Sequence, residues 1–317
     1  MKKSGKIVTF LCLATAATGV IHVINKSIEF LANGLNALPY EKGKNYKWRF
    51  GNVFYTKQGS GTPLLLIHDL NVTASSIEWK ELVDEYSKNH TVYAIDLLGC
   101  GRSDKPAITY TNYLYVQLIS DFIREVIGTR TNLITTGSAC SIATMACFSD
   151  NGLFDKLIFI NPDSLSKCNT VPSHNNKLAK FLFELPIIGT LVYNICHSKT
   201  NISSYIKNDC YSNPYVASST VVDAYYDACH KSGSRSKYLY ASIISNYTNI
   251  SIIRALKEIN NSIYIIYGEY EPHIDSLVAE YVDVNPIIET QQIDNTKHLP
   301  QLERSKAVIE AANIFLS

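Results

Sequence analysis

Residues 92–104 read "VYAIDLLGCGRSD", and this stretch decides the fold. It opens with an unbroken apolar run, Val92 to Ile95, as strands buried on both faces of a parallel sheet do. Asp96 ends the run, and Gly99 and Gly101 then mark a tight turn, because glycine adopts backbone conformations closed to other residues. A similar run, "PLLLIHD" at 63–69, comes earlier in the chain. Both runs predict strands of a mostly parallel sheet.

Outward from this stretch, strands alternate with helices. Strand-like runs are "NLITT", "KLIFINP" (156–162), "SIYIIYGE" (262–269) and a last run before His298; helical spacing marks 78–88, 114–127, a segment from about Ser141, and the C-terminus. The alternation predicts an α/β fold with helices on both faces of the sheet. It stops between Pro162 and Ser262, where a tyrosine-rich, mostly helical insertion predicts a cap. The sequence thus predicts a core of residues 47–162 and 262–317, with a helical cap at 163–261.

The bulk composition fits a packed globular protein. The chain has 317 residues, 46% hydrophobic and 18% charged, with a formal net charge of +1, which does not favour nucleic-acid binding. No histidine or cysteine spacing indicates a metal site, so we expect no metal and no cofactor. Of the eight cysteines, Cys12 lies in the N-terminal apolar segment, and the odd remainder argues mildly against an exported domain.

The N-terminal segment, residues 1–26, has its own pattern. Three lysines precede the apolar stretch "IVTFLCLATAATGVIHVI" at 7–24. We expect an uncleaved membrane anchor with the basic end in the cytoplasm, which would make the following domain extracytoplasmic. A cleaved signal, with a site near Ala14–Ala16, and a buried or interfacial helix stay open as alternatives.

Four motifs in this order resemble the α/β-hydrolase superfamily, in particular its branch with a helical cap. "LLLIHDL" resembles the strand and His-Gly turn of the oxyanion hole, and "VYAIDLLGCGRSDKP" is similar to the family's D-x-x-G-x-G-x-S turn. "IYIIYGEYEP" resembles the turn that presents the triad acid, and "NTKHLPQLE" the turn that presents the catalytic histidine. The resemblance covers the chain from about residue 47 and implies an eight-stranded α/β-hydrolase sheet with a cap.

The resemblance puts the catalytic histidine at His298 and its acid at Glu271. A carboxylate bonded to one imidazole nitrogen fixes the tautomer and leaves the other nitrogen free as a base. Glu269, Asp275 or Asp163 stay open as alternative acids.

The stretch "TTGSACS" at 135–141 stands where the family has its nucleophile elbow, small-x-nucleophile-x-small. In one register Ala139 takes the nucleophile position and no covalent attack is possible; in the other Ser138 does. Cys140 is a weaker third candidate. The backbone N–H groups of Leu70 and Cys140 are the predicted oxyanion donors.

Asp69 is a second departure, because the family has glycine after that histidine, and a carboxylate there opposes a developing negative charge. Three functions therefore stay open. One is a hydrolase of a small apolar ester or related substrate with an atypical nucleophile. Another is an inactive, membrane-anchored pseudohydrolase that binds an apolar ligand or a partner. A tethered interaction domain that makes no use of a pocket is a third possibility.

Overall fold

The computed structural model describes residues 2–38 and 43–316, and the side chains of residues 2–8, 10 and 11 lie outside the described part. One eight-stranded sheet has the order β1-β2-β4-β3-β5-β6-β7-β8. Its strands are β1 Lys44–Trp48, β2 Gly51–Gln58, β3 Thr62–Ile67, β4 His90–Ile95, β5 Thr131–Thr136, β6 Phe154–Ile160, β7 Ile263–Gly268 and β8 Glu289–Ile293. β2 pairs antiparallel with β1 and β4, and the other pairs are parallel. The predicted eight-stranded, mostly parallel sheet is confirmed.

The described helices pack around this sheet and in the insertion. They are α1 Lys2–Gly34, α2 Lys80–Tyr86, α3 Asn112–Phe122, α4 Ala139–Ser149, α5 Leu165–Cys168, α6 His174–Glu184, α7 Ile188–Cys196, α8 Lys199–Tyr205, α9 Ser219–His230, α10 Lys237–Ile243, α11 Ile253–Glu258, α12 Ile274–Val284, α13 Pro300–Glu303 and α14 Ser305–Leu316. Strand β3 shows why its sequence is apolar throughout. Leu65 and Ile67 belong to one buried cluster and Leu64 and Leu66 to a second one, because successive side chains leave a strand on opposite faces.

The turn after β4 is held in place by buried hydrogen bonds. The Asp96 carboxylate accepts hydrogen bonds from the backbone N–H groups of Ser76 and Arg102, both at 2.8 Å, and from Arg102 Nε at 2.8 Å. Ser103 Oγ accepts from the N–H of Phe54 at 2.8 Å, which ties the turn to β2. Removing one partner of a buried pair of this kind costs roughly 3–5 kcal/mol. The most specific motif of the sequence therefore holds the fold together.

The chain between β6 and β7 contains α5 to α11, and the predicted cap, residues 163–261, falls in this interval. Helices α6 and α7 meet at an angle of 102°. The carbonyl of Cys210 accepts hydrogen bonds from the backbone N–H groups of His298 at 3.1 Å and Leu299 at 3.2 Å. The insertion therefore rests directly on the loop that carries the predicted catalytic histidine.

Helix α1 is 33 residues long. Residues 12–20 are exposed, and the contacts of the helix with the insertion are made with α7 and α9. The predicted anchor, residues 1–26, lies partly outside the described side chains. Within the described part, neither α1 nor any other single helix is long and apolar enough to cross a membrane, and α6 and α7 meet that criterion only as a bent pair.

Candidate active site

The structure brings His298 and Glu271 together. Glu271 follows β7 and His298 follows β8, so two neighbouring parallel strands deliver the pair to the same edge of the sheet. His298 Nδ1 lies 3.1 Å from Glu271 Oε1. Burial lowers the pKa of His298, but the hydrogen bond and the charge of Glu271 outweigh it, so that the net pKa is raised. The bond holds Nδ1 as the donor and leaves Nε2 free to take a proton.

The alternative acids have other partners. Glu269 Oε2 accepts a hydrogen bond from the backbone N–H of Asn295 at 2.7 Å. Asp163 Oδ1 lies 2.8 Å from Lys167 Nζ, and burial raises the pKa of this carboxyl while Lys167 opposes the shift. Asp275 lies in the first turn of α12. In the described hydrogen bonds, Glu271 is the carboxylate that binds the imidazole.

Asn161 is a positioning residue that the sequence analysis missed. Its Nδ2 donates to the carbonyl oxygens of Lys297 at 2.8 Å and His298 at 2.9 Å, and its Oδ1 accepts from the N–H of Gly268 at 3.0 Å. It has a left-handed φ of 43°, which asparagine tolerates better than most residues. One side chain thus joins the ends of β6 and β7 to the histidine loop. The signal in the sequence was an asparagine directly after a buried strand.

The turn between β5 and α4 has its left-handed residue at Gly137, with a φ of 60°. Ser138 has φ −68° and ψ −22°, and Ala139 is already the first residue of α4. The sequence predicted that the helix begins at about Ser141, with Ala139 or Ser138 at the apex of the turn. The helix begins two residues earlier, and neither candidate has the strained conformation of a strand-to-helix apex.

The carboxylate of Asp69 lies against this turn. Its Oδ1 accepts hydrogen bonds from Ser138 N at 2.8 Å and from Ser138 Oγ at 2.7 Å. A Cβ added at Gly137 would lie 2.4 Å from the same oxygen. The side chain of Asp69 therefore fills the space into which a side chain at residue 137 would project, and the hydroxyl of Ser138 points to Asp69.

His68, Leu70 and Cys140 complete the neighbourhood. His68 is fully buried, and its Nδ1 lies 2.7 Å from the carbonyl oxygen of Asp69 while its Nε2 lies 3.0 Å from the N–H of Leu97. A carbonyl only accepts and an N–H only donates, so these partners fix His68 as the neutral Nδ1–H tautomer. Burial also lowers its pKa. His68 therefore holds the loop that continues to Leu70.

The backbone N–H of Cys140, which the sequence predicts as an oxyanion donor, has a partner inside the protein. Its N–H donates to the carbonyl of Gly137 at 3.2 Å, as part of the first turn of α4. Its thiol is no better placed as a nucleophile, because burial raises the pKa well above the usual value and keeps it protonated.

Further acidic groups act electrostatically on the imidazole, since the charges of Asp69 and Asp163 also raise the pKa of His298. Glu78 is 1% exposed, and burial raises its pKa to about 8, although a 2.7 Å hydrogen bond from the Tyr225 hydroxyl to Oε1 opposes the shift. The charge of Asp69 also raises the pKa of Glu78, and that of His298 lowers it. The site is thus acidic, and a proton on Glu78 relieves part of that charge at neutral pH. Among the described residues, no group of three His, Cys, Asp or Glu side chains has an arrangement that could hold a metal ion.

A sheet of this order with a histidine–acid pair at its edge defines an α/β-hydrolase fold. A family model described as "Alpha/beta hydrolase family" matches residues 64–311. The chain belongs to the alpha/beta hydrolase family.

Individual relatives are more distant. The chain is 34% identical over 73 residues to a 2-hydroxy-6-oxo-6-(2'-aminophenyl)hexa-2,4-dienoic acid hydrolase of Metapseudomonas resinovorans, covering 23% of this chain and 25% of that protein. It is 22% identical over 176 residues to a cis-3-alkyl-4-alkyloxetan-2-one decarboxylase of Shewanella oneidensis, covering 53% and 52% of the two chains. The matches therefore span about a quarter to a half of these curated relatives. The epoxide hydrolase CorEH is similar in structure, with a TM-score of 0.69, 18% identity, and coverage of 87% of this chain and 98% of that one.

Proposed function

We propose that this protein hydrolyses a small apolar substrate, an ester or a related compound with a strained C–O bond, and that a carboxylate replaces the elbow serine. One observation carries the proposal. A Cβ added at Gly137 would lie 2.4 Å from Asp69 Oδ1, and the charge of Asp69 raises the pKa of His298, which is paired with Glu271. In this interpretation Gly137 occupies the nucleophile position of the family, and the attacking group comes from the neighbouring loop.

The proposed chemistry is clearest for a strained cyclic ether. A carboxylate is an established enzyme nucleophile. The second oxygen of Asp69 bonds to a ring carbon, the ring C–O bond breaks, and the ring oxygen takes one proton from solvent water. His298 Nε2 then removes a proton from water, which attacks the carboxyl carbon of Asp69. The ester bond breaks and the alcohol oxygen takes the proton held by His298. The second proton of the attacking water returns to solvent, which restores the carboxylate with one oxygen from water.

The residues of the elbow support this route over serine catalysis. The Ser138 hydroxyl donates to Asp69, and Ala139 offers only a methyl group. In the Gly137 register the oxyanion donor of the elbow is the N–H of Ser138. That N–H is bonded to Asp69, so an acyl oxyanion would have to displace a carboxylate.

Turnover in ¹⁸O-water tests the proposal. The protein is incubated with an aryl epoxide and, separately, with a p-nitrophenyl ester, and the peptide that contains Asp69 is examined by mass spectrometry after epoxide turnover. We expect one ¹⁸O atom in Asp69, and loss of turnover in Asp69→Asn and His298→Ala. Ser138→Ala is the control and should retain turnover. Turnover without label in Asp69 would contradict the carboxylate route, and absence of turnover on both substrates would contradict the hydrolase itself.

A catalytically inactive pseudohydrolase that binds an apolar ligand is the second candidate. The observation that favours it is the same pair of bonds from Ser138 to Asp69, which closes the elbow donors to a reacting oxygen. A pseudohydrolase should show no turnover. Its ligand-induced thermal shifts should remain in Asp69→Asn.

We also propose that residues 1–26 anchor the protein in a membrane and that the domain is extracytoplasmic, with a small molecule as its partner and without nucleic acid. The lysines at the start of the chain and the apolar run at 7–24 support this location. Carbonate extraction and protease protection of the membrane fraction test it. Release by carbonate, or a domain protected on the cytoplasmic side, would contradict it.

A further inference from the structure

Near its contact with the cap, helix α1 buries the polar side chain of Asn25 and exposes the apolar side chains of Val20 and Val23, with His22 and Lys26 also exposed. Asn25 is 8% exposed; its Nδ2 donates to the carbonyl of Ile187 at 2.9 Å, and its Oδ1 accepts from Asn194 Nδ2 at 3.0 Å. Val20 and Val23 are 60% and 64% exposed. In water this arrangement leaves apolar side chains exposed while a polar one is buried. In a lipid bilayer, polar side chains face the protein and apolar side chains face the hydrocarbon.

The cap continues this outward apolar surface. On α7, Ile188, Val192 and Ile195 are 57%, 41% and 58% exposed, and their spacing puts them on one face of the helix. On α6, Leu178, Phe181 and Leu182 are more than half exposed and also share a face. Contiguous exposed apolar surface of this kind marks an interaction site. We call the six residues the cap stripe.

The contact between α1 and the cap determines which residues of α1 lie beside the cap stripe. The apolar run of α1 ends at Ile24, and Lys26, whose side chain is 63% exposed, is the first charged residue after Lys6. Asn25, between them, binds the carbonyl of Ile187, the residue that immediately precedes α7. The start of α7 thus lies beside the point where the apolar run of α1 is followed by a charged residue. In a membrane protein that point is the headgroup boundary.

The corner itself is strained. Ile187 has φ 62° and ψ −67°, a conformation that costs a β-branched residue of order 1–3 kcal/mol. The bond from Asn25 stabilises this corner, so α1 and the start of α7 form one unit.

We infer that the cap stripe rests in the headgroup–acyl boundary of a lipid bilayer, next to α1, so that the cap is a monotopic membrane contact. The occupant is lipid, because α7 packs against α1, whose exposed residues beside this contact include the apolar Val20 and Val23. The inference builds on the proposed membrane attachment and is independent of the proposed chemistry.

The experiment uses a fluorophore at a native cysteine of the full-length chain. Of the eight cysteines, Cys12 and Cys196 are exposed. Cys196 lies four residues after Val192 and therefore at the edge of the cap stripe. In a Cys12→Ser background, Cys196 is labelled with NBD and the protein is placed in phosphatidylcholine vesicles that contain a shallow doxyl-lipid quencher. The matched control carries the label at Ile287→Cys in a Cys12→Ser, Cys196→Ser background, since Ile287 is 59% exposed on the core.

We expect blue-shifted emission and at least twofold stronger quenching at Cys196 than at the control position. Val192→Asp with Ile195→Asp should reduce quenching to the control level without loss of fold, because both residues are exposed. Vesicle-bound protein with equal quenching at both positions would overturn the cap contact and leave the anchor intact. Protein that does not bind vesicles would overturn both. A blue shift that appears without vesicles and grows with protein concentration would assign the stripe to a second copy of the chain and overturn the lipid assignment.

Discussion

Combining Gly137→Ser with Asp69→Gly is the sharpest test of the elbow geometry. Gly137→Ser adds a Cβ that would lie 2.4 Å from Asp69 Oδ1 and 2.6 Å from its Cγ, at a φ of 60°. The left-handed conformation alone costs a residue other than glycine about 1–2 kcal/mol. Displacing the carboxylate also breaks its bonds to Ser138, each worth about 1.5–3 kcal/mol when one partner is charged.

We therefore expect Gly137→Ser to lower the free energy of unfolding by about 4–8 kcal/mol in the native background and by only about 1–2 kcal/mol in an Asp69→Gly background. The double variant should be no less stable than Gly137→Ser alone. The two substitutions should therefore show a coupling energy of about 2 kcal/mol or more. Urea unfolding of all four proteins, followed by tryptophan fluorescence, measures the cycle.

The same cycle has a chemical readout. The double variant restores glycine after His68 and a hydroxyl at the left-handed residue, so it should react with a fluorophosphonate probe, whereas the native protein and Ser138→Ala should be equally unreactive. An equal cost of Gly137→Ser in both backgrounds, or labelling of the native protein at Ser138, would refute the assignment of the apex to Gly137.

Three further predictions concern the groups around His298. Asn161→Ala removes bonds to three backbone groups, so it should lower the free energy of unfolding by about 2–4 kcal/mol and slow turnover more than it raises KM; equal effects of a surface Asn→Ala variant would contradict the positioning role. Glu78 holds its proton up to a pKa of about 8, against 4.5 when unfolded, so its contribution is fully present below pH 4.5 and is lost as the pH rises to 8. Unfolding at pH 5 and pH 8.5 should show native protein losing up to about 4 kcal/mol relative to Glu78→Gln. Glu271→Gln removes the charge that raises the pKa of His298, so an NMR titration of that imidazole should move to lower pH, and an unchanged midpoint would show that the pair is not coupled.

The fold was predictable because its signals are local. The apolar runs of β3 and β4 and the glycine turn after Asp96 each lie within about a dozen residues, and each has one low-energy solution. The histidine and its acid were predictable for a similar reason, since each follows directly on a strand of the parallel sheet.

The elbow was not predictable, because its register depends on a contact between distant residues. Asp69 and Ser138 are 69 positions apart in the chain, and their hydrogen bonds accompany the start of α4 at Ala139. Local spacing alone favoured a later helix start and hence a different apex. Asn161 was missed for the same reason, since its partners at 268, 297 and 298 become neighbours only when the sheet forms.

Helix α1 runs from Lys2 to Gly34 without a break, and its second half is packed into the cap. No break in this span of the helix separates the apolar segment from the α/β domain, so the two move as one rigid body. A helix turns by about 100° per residue, and a single residue inserted among the exposed positions 12–20 would therefore swing the domain by that angle about the helix axis. The orientation of the domain about the helix axis is thus set by the rotational phase of the first helix.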